Sequence, residues 1–136
     1  MKIFIGGSKT IGKLPDKSKQ ILAAICRNGI EILVGDCYGI DLAVQALLAS
    51  FNYGKVTVYT ACEAARHNAG GWKEKSMITD KTGFDAHREK DKAMIADCDL
   101  GIMLWDGVSK GTLANIGDLH ACGKTVLIYD KQGNLL

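Results

Sequence analysis

Apolar positions along the chain fall into five short runs, and the stretches between most of them carry apolar residues at helical spacing. Lys2–Ile5, Glu31–Gly35, Lys55–Thr60, Leu100–Trp105 and Lys124–Tyr129 have the length of strands. Ile32, Leu33 and Val34 are continuous rather than alternating, as in a parallel strand buried on both faces. Ile21, Leu22, Ile25 and Cys26 form one stripe of a helix that Asp16 caps after Pro15 and that runs to about Asn28, with Gly29 at its exit. Ile40, Ala43, Val44, Leu47 and Leu48 mark a second helix, Ala86–Ala96 a third, and Leu113 to about Gly123 a fourth. Ala61–Asp85 has no period and reads as a long loop, either functional or a surface excursion. Within it, Arg66 and Trp72 either stack on a base or leave Trp72 pinned against the body.

The predicted order is β-α-β-α-β-loop-α-β-α-β. Such alternation implies a single-domain, Rossmann-like α/β fold spanning 1–136: a three-layer α/β/α sandwich around a mostly parallel five-stranded sheet. In such sheets ligands bind beyond the carboxyl ends of the strands. Three of the strands end in glycine-containing turns. The first offers Gly6, Gly7, Ser8, Lys9 and Thr10; the second Gly35, Asp36, Gly39 and Asp41; the third Asp106, Gly107, Ser109, Lys110, Gly111 and Thr112. Backbone N–H groups, a lysine and hydroxyls beside a helix N-terminus suit a phosphate. Neither the Walker spacing nor G-x-G-x-x-G is present. Asp41 reads equally as a helix cap or as a ligand contact, and Asp36 as an acceptor for sugar hydroxyls.

Composition narrows the chemistry. Seventeen Lys and Arg against fifteen Asp and Glu leave a net charge of +2, a weak field for a nucleic-acid binder. The five cysteines form no C-x-x-C pair and read as reduced, mostly structural thiols; Cys37, in a turn before a helix, has no partner that spacing identifies. The three histidines lack ligand spacing, so no metal is expected, and no motif calls for a cofactor. No apolar segment reaches the roughly 20 residues of a membrane span, and the N-terminus lacks the apolar core of a signal peptide; the expectation is a cytoplasmic protein without a membrane partner.

Two segments in order resemble a known group. Leu33-Val34-Gly35-Asp36-Cys37-Tyr38-Gly39-Ile40-Asp41-Leu42-Ala43 is similar to the G-D-x-x-G-x-D-x-A segment of the SLOG superfamily, which joins DNA processing protein A with the "lonely guy" cytokinin-activating enzymes. Trp105-Asp106-Gly107-Val108-Ser109-Lys110-Gly111-Thr112 resembles the W-D-G-x-S-x-G-T segment of its small bacterial members. Arg88 to Met94, followed by Cys98-Asp99, resembles the stretch upstream of that loop and adds Arg88 to the site. The nearest likeness is to small stand-alone proteins of the type called YspA-like. The resemblance implies a nucleotide or nucleotide-derived small molecule as ligand, and a homodimer as a common assembly. Some members cleave N-glycosidic bonds with a glutamate three residues after the Gly-Thr pair. Asn115 stands there, and an amide is neither a carboxylate nucleophile nor a base. No catalytic residue is assigned, with Glu89 and Asp91 as unsupported candidates. The expectation is therefore a binder or sensor of a nucleotide-derived ligand. The alternatives are a nucleotide N-glycosidic hydrolase or transferase, and a salt-sensitive single-strand DNA binder, which the +2 charge disfavours.

Overall fold

The computed structural model describes residues 1–136. In chain order its elements are β1 (Lys2–Gly7), α1 (Asp16–Arg27), β2 (Glu31–Val34), α2 (Ile40–Ser50), β3 (Val56–Thr60), β4 (Lys73–Ser76), α3 (Gly83–Asp97), β5 (Leu100–Leu104), α4 (Lys110–Ala121) and β6 (Thr125–Tyr129). The strands form one sheet in the order β4-β3-β2-β1-β5-β6, and every neighbouring pair is parallel.

Two expectations about the sheet are corrected. It has six strands, not five, and it is wholly parallel. The extra strand, β4, lies inside the stretch read as a loop. Its sequence, Lys-Glu-Lys-Ser, is exposed at every position. It is held by its backbone ladder on β3, and charged side chains suit an edge strand. An apolar pattern therefore had nothing to register.

Alternate strand residues feed two cores. Ile3, Ile5, Ile32, Val34, Val56 and Val58 pack beneath α1 and α2 with Leu22, Ile25, Ile40, Val44 and Leu48. Phe4, Leu33, Tyr59 and Met103 face the other way, against Met94 and Ile95 of α3 and Ile116 and Leu119 of α4. The sandwich is thus three-layered, and the near-continuous apolar runs of β1, β2 and β5 follow from burial on both faces.

The chain builds outward from β1 through β2 and β3 to β4, then returns to place β5 on the other side of β1. The direction of winding reverses between β1 and β5. A crevice opens where the loops leaving these two strands part to opposite faces, which is the usual ligand position in open α/β sheets. No helix is long and apolar enough to cross a membrane.

Candidate functional site

A cleft of about 480 Å³ lies at that reversal. One wall is the β1 turn, Gly6 to Lys9; the opposite wall is the start of α4, Ser109 to Thr112, with Asn115 one turn further on. The third wall is α3, which presents Phe84, His87, Arg88, Lys90, Asp91 and Met94, and Phe4, Cys37 and Asp41 complete the lining.

The β1 and α4 walls are tied together by the residues between them. Ser8 N–H donates to Leu104 O at 3.0 Å, and Asp106 N–H donates to Ser8 Oγ at 3.1 Å. Ser8 Oγ lies 3.5 Å from Thr112 Oγ1, and both side chains are buried. Asp106 clamps its own turn: Oδ1 accepts the Val108 and Ser109 N–H groups, while Oδ2 accepts the hydroxyls of Thr10 and Ser109 at 2.6 and 2.7 Å. The Thr10 and Ser109 hydroxyls hold its carboxyl well below the usual carboxylate range.

With Ser109 so committed, the first N–H groups of α4, on Lys110, Gly111 and Thr112, find no acceptor in the protein. These are the orphan donors of a helix start, which attract anions. Lys9 and Lys110 are exposed on opposite walls and take part in no ion pair.

Beneath lies a charged network. Asp36 is buried, accepting from Thr60 Oγ1 at 2.7 Å and from the Arg66 backbone and guanidinium. Burial alone would raise its carboxyl; Arg66, Thr60 and Lys90 outweigh that and bring it to about 2. Lys90, also fully buried, sits 3.5 Å from Asp36 Oδ1 and 4.0 Å from Asp91 Oδ1. Burial would discharge it, but Asp41, Asp91, Cys37 and Asp36 keep it charged and raise it above the ordinary lysine value. Burial pushes Asp41 up to about 6 against the pull of Lys90, and burial raises Asp91 likewise.

Arg88 donates to Asn115 Oδ1 and to Asp118 Oδ2, while Asn115 Nδ2 donates to Asp91 Oδ2 at 3.1 Å. The amide thus serves as acceptor on one side and donor on the other. A glutamate at this position would accept from Arg88 but set a second carboxylate against Asp91.

The raised Asp41 carboxyl gives a prediction with a definite sign. Its unfolded value is about 3.9. Between that and about 6 the folded protein holds a proton that the unfolded chain releases, so stability falls as pH rises through this window and the loss is complete above it. Asp36 acts in the opposite sense: its contribution is full above about pH 4 and disappears as pH falls through about 2. Asp41→Asn is expected to reduce the slope of the pH 4–6 limb of a urea-denaturation series, leaving the part due to Asp91. A slope identical to wild type would show that Asp41 is not the group that titrates.

Of the residues expected from sequence, Gly6, Gly7, Ser8, Lys9, Asp41, Arg88, Ser109, Lys110, Gly111 and Thr112 line one cleft. Gly35, Asp36, Gly39, Asp106 and Gly107 lie behind it, where they shape the turns or hold their neighbours. Trp72 is pinned elsewhere, its indole donating to Tyr53 O at 2.7 Å, and Arg66 is spent on Asp36. Sequence reading missed Phe84, His87 and Lys90. Their spacing with Asp91 and Met94 gives α3 a stripe facing the cleft, a signal masked by its polar composition. No group of three His, Cys, Asp or Glu residues is arranged to hold a metal ion.

No family model and no curated protein sequence matches the chain. Among solved structures, that of DNA processing protein A from Helicobacter pylori, described for its single-stranded DNA binding mode, matches with a TM-score of 0.67 and 16% identity. The match covers 95% of this chain and 65% of the other, so the chain spans about two thirds of that structure's length. This finding corrects two sequence-based expectations, that of a free nucleotide-derived ligand (with its glycosidase alternative) and that of a nucleic-acid partner being disfavoured. This matching protein is described as binding single-stranded DNA. A net charge says little about a cleft whose two exposed lysines, Lys9 and Lys110, are unpaired. The chain has the Rossmann-like fold of DNA processing protein A.

Proposed function

We propose that the cleft between β1 and β5 receives single-stranded DNA, and that the chain is a YspA-like member of the SLOG superfamily, with residues 1–136 forming one domain and working in the cytoplasm. The observation that carries the binding assignment is the set of three unpaired N–H groups at the start of α4, set between two unpaired lysines. A backbone phosphate placed there takes hydrogen bonds from the N–H groups of Lys110, Gly111 and Thr112, with Lys9 and Lys110 supplying charge from either side. Phe84, half-exposed at the mouth, offers an apolar ring on which an adjacent base stacks. The motifs around Gly35–Asp41 and Trp105–Thr112 support the superfamily assignment, since the first contributes Cys37 and Asp41 to the cleft lining and the second its α4 wall.

The test is fluorescence anisotropy with a labelled oligothymidine over a range of salt. The double variant Lys9→Ala/Lys110→Ala is expected to bind at least about tenfold more weakly, and its salt dependence to be shallower by about 0.7 per lost phosphate contact. Lys73→Ala/Lys131→Ala makes the same change in net charge with exposed lysines outside the cleft, and should bind like wild type. Equal losses in the two double variants would reduce the interaction to a general charge effect and sink the assignment.

A further inference from the structure

One group of reactive side chains in the cleft is used neither by the fold's cores nor by the phosphate seat. Cys37 follows β2, half-buried, and lines the cleft. Three nitrogens converge on its sulfur: Lys90 Nζ at 3.2 Å, Arg66 Nη2 at 3.3 Å and His87 Nδ1 at 3.7 Å. Ammonium and guanidinium groups only donate, so in both contacts the sulfur is the acceptor. Its own backbone N–H is turned away, to Asp41 Oδ2 at 3.1 Å.

The other cysteines differ. Cys98 is buried and donates to Ile95 O, Cys26 packs against the core of α1 and α2, and burial raises both thiols. Cys62 and Cys122 are exposed, with no cation at the sulfur. Asp41, more than nine-tenths buried, also lines this part of the cleft; its Oδ1 takes no hydrogen bond from the protein and forms no ion pair. The pocket beside Cys37 thus holds an acceptor without a donor, next to a sulfur that has cationic donors.

We propose that Cys37 is a modification site, a nucleophilic thiol that reacts with small hydroperoxides entering the cleft. The attacking form of a cysteine is the thiolate. Lys90 and Arg66 supply the charge opposite it, and the protonated end of a hydroperoxide finds its acceptor in Asp41 Oδ1. In the step, the thiolate sulfur attacks one peroxide oxygen, an S–O bond forms and the O–O bond breaks. The electron pair leaves on the second oxygen as hydroxide (or alkoxide), which takes a proton from water. Sulfur is oxidised by two electrons to a sulfenic acid, and the peroxide is reduced to water or an alcohol. His87 is neutral at physiological pH, because burial and the cations Lys90, Arg66 and Lys9 bring it down to about 4; the positive charge at the sulfur comes from Lys90 and Arg66 alone. Nothing in this step depends on what the cleft binds.

The test compares the cysteines of the intact protein with one another. Purified reduced protein is treated with limiting hydrogen peroxide, trapped with dimedone and mapped by mass spectrometry; a parallel sample follows iodoacetamide labelling over time at pH 7. Cys37 is expected to carry most of the sulfenic acid and to be alkylated at least about tenfold faster than Cys62 and Cys122, against the order of exposure. Arg66→Gln should slow Cys37 toward the rate of the exposed cysteines. Because that change also touches Asp36, its fold is checked by circular dichroism, and His87→Phe, which leaves Asp36 and both cations in place, should retain most of the reactivity. Labelling of Cys37 no faster than Cys62, or an unchanged Cys37 rate in folded Arg66→Gln, overturns the proposal.

Discussion

Replacing Lys90 by methionine is expected to cost the fold about 3–5 kcal/mol at pH 7, the range for breaking a buried charge network by removing one partner. The lysine is 1% exposed and stands among Asp36, Asp41 and Asp91. Methionine fills a similar volume, so little of the loss is packing; it is the cost of carboxylates left without their cation. That assignment makes the loss pH-dependent. Asp41 and Asp91 already lie above the ordinary carboxylate value, and without Lys90 they rise further. An acid raised in the folded state favours folding at low pH, so the deficit should shrink between pH 7 and pH 5 as these groups take up protons. Asp36, lowered to about 2 by Arg66 as well as Lys90, stays ionised at pH 5 and preserves part of the deficit. Urea denaturation of both proteins at the two pH values checks this. A loss below about 1 kcal/mol, equal at both, would mean that the carboxylates are solvated and the network is not what ties α3 to the turn between β2 and α2.

Lys90 also marks the boundary of what the sequence disclosed. The strands with apolar cores, the four helices and the three glycine turns were legible, because burial on one or two faces leaves a period in the sequence. Strand β4 was not, since an edge strand needs only backbone donors and acceptors. Within the site, the turns and their lysines and hydroxyls were found by position at strand ends. The roles inside those turns were harder to read. Asp36 looked like a ligand acceptor and is instead saturated by Thr60, Arg66 and Lys90. Ser109 looked like a phosphate contact and is held by Asp106. Asn115 was read as a missing carboxylate, whereas its amide bridges Arg88 and Asp91. For Asp36 and Asn115 the deciding partners are distant in sequence, and for Ser109 the partner is a nearby carboxylate that several donors could have claimed; only the packed structure selects among them. Charge counting is limited for a related reason: a total of +2 does not distinguish lysines paired with acids from lysines left free at a cleft.

The same packing leaves Gly39 little open to change. It precedes α2 with φ 76° and ψ −125°, a region that side-chain-bearing residues avoid at a cost of about 1–3 kcal/mol. An added Cβ would also lie 2.6 Å from Lys9 Cα, Lys9 O and Ser8 O, which are backbone atoms unable to rotate aside. Relieving that contact must move the β1 turn away from α2, adding an overpacking cost of about 1–3 kcal/mol. Gly107 separates the two contributions: its φ is 86°, but a Cβ there meets nothing within 4 Å. Gly107→Ala is therefore expected to lose the strain term alone, and Gly39→Ala roughly twice as much. The larger loss should also reach function, because the atoms displaced belong to Lys9 and Ser8 on one wall of the cleft, and the helix displaced carries Asp41 in its first turn. Thermal melts of the two variants, with oligothymidine binding measured well below either midpoint, test both halves. Gly39→Ala should bind more weakly than Gly107→Ala while still folded. Equal stability and equal binding in the two variants would show that the seam between the β1 turn and α2 yields easily, and that Lys9 is not positioned by it.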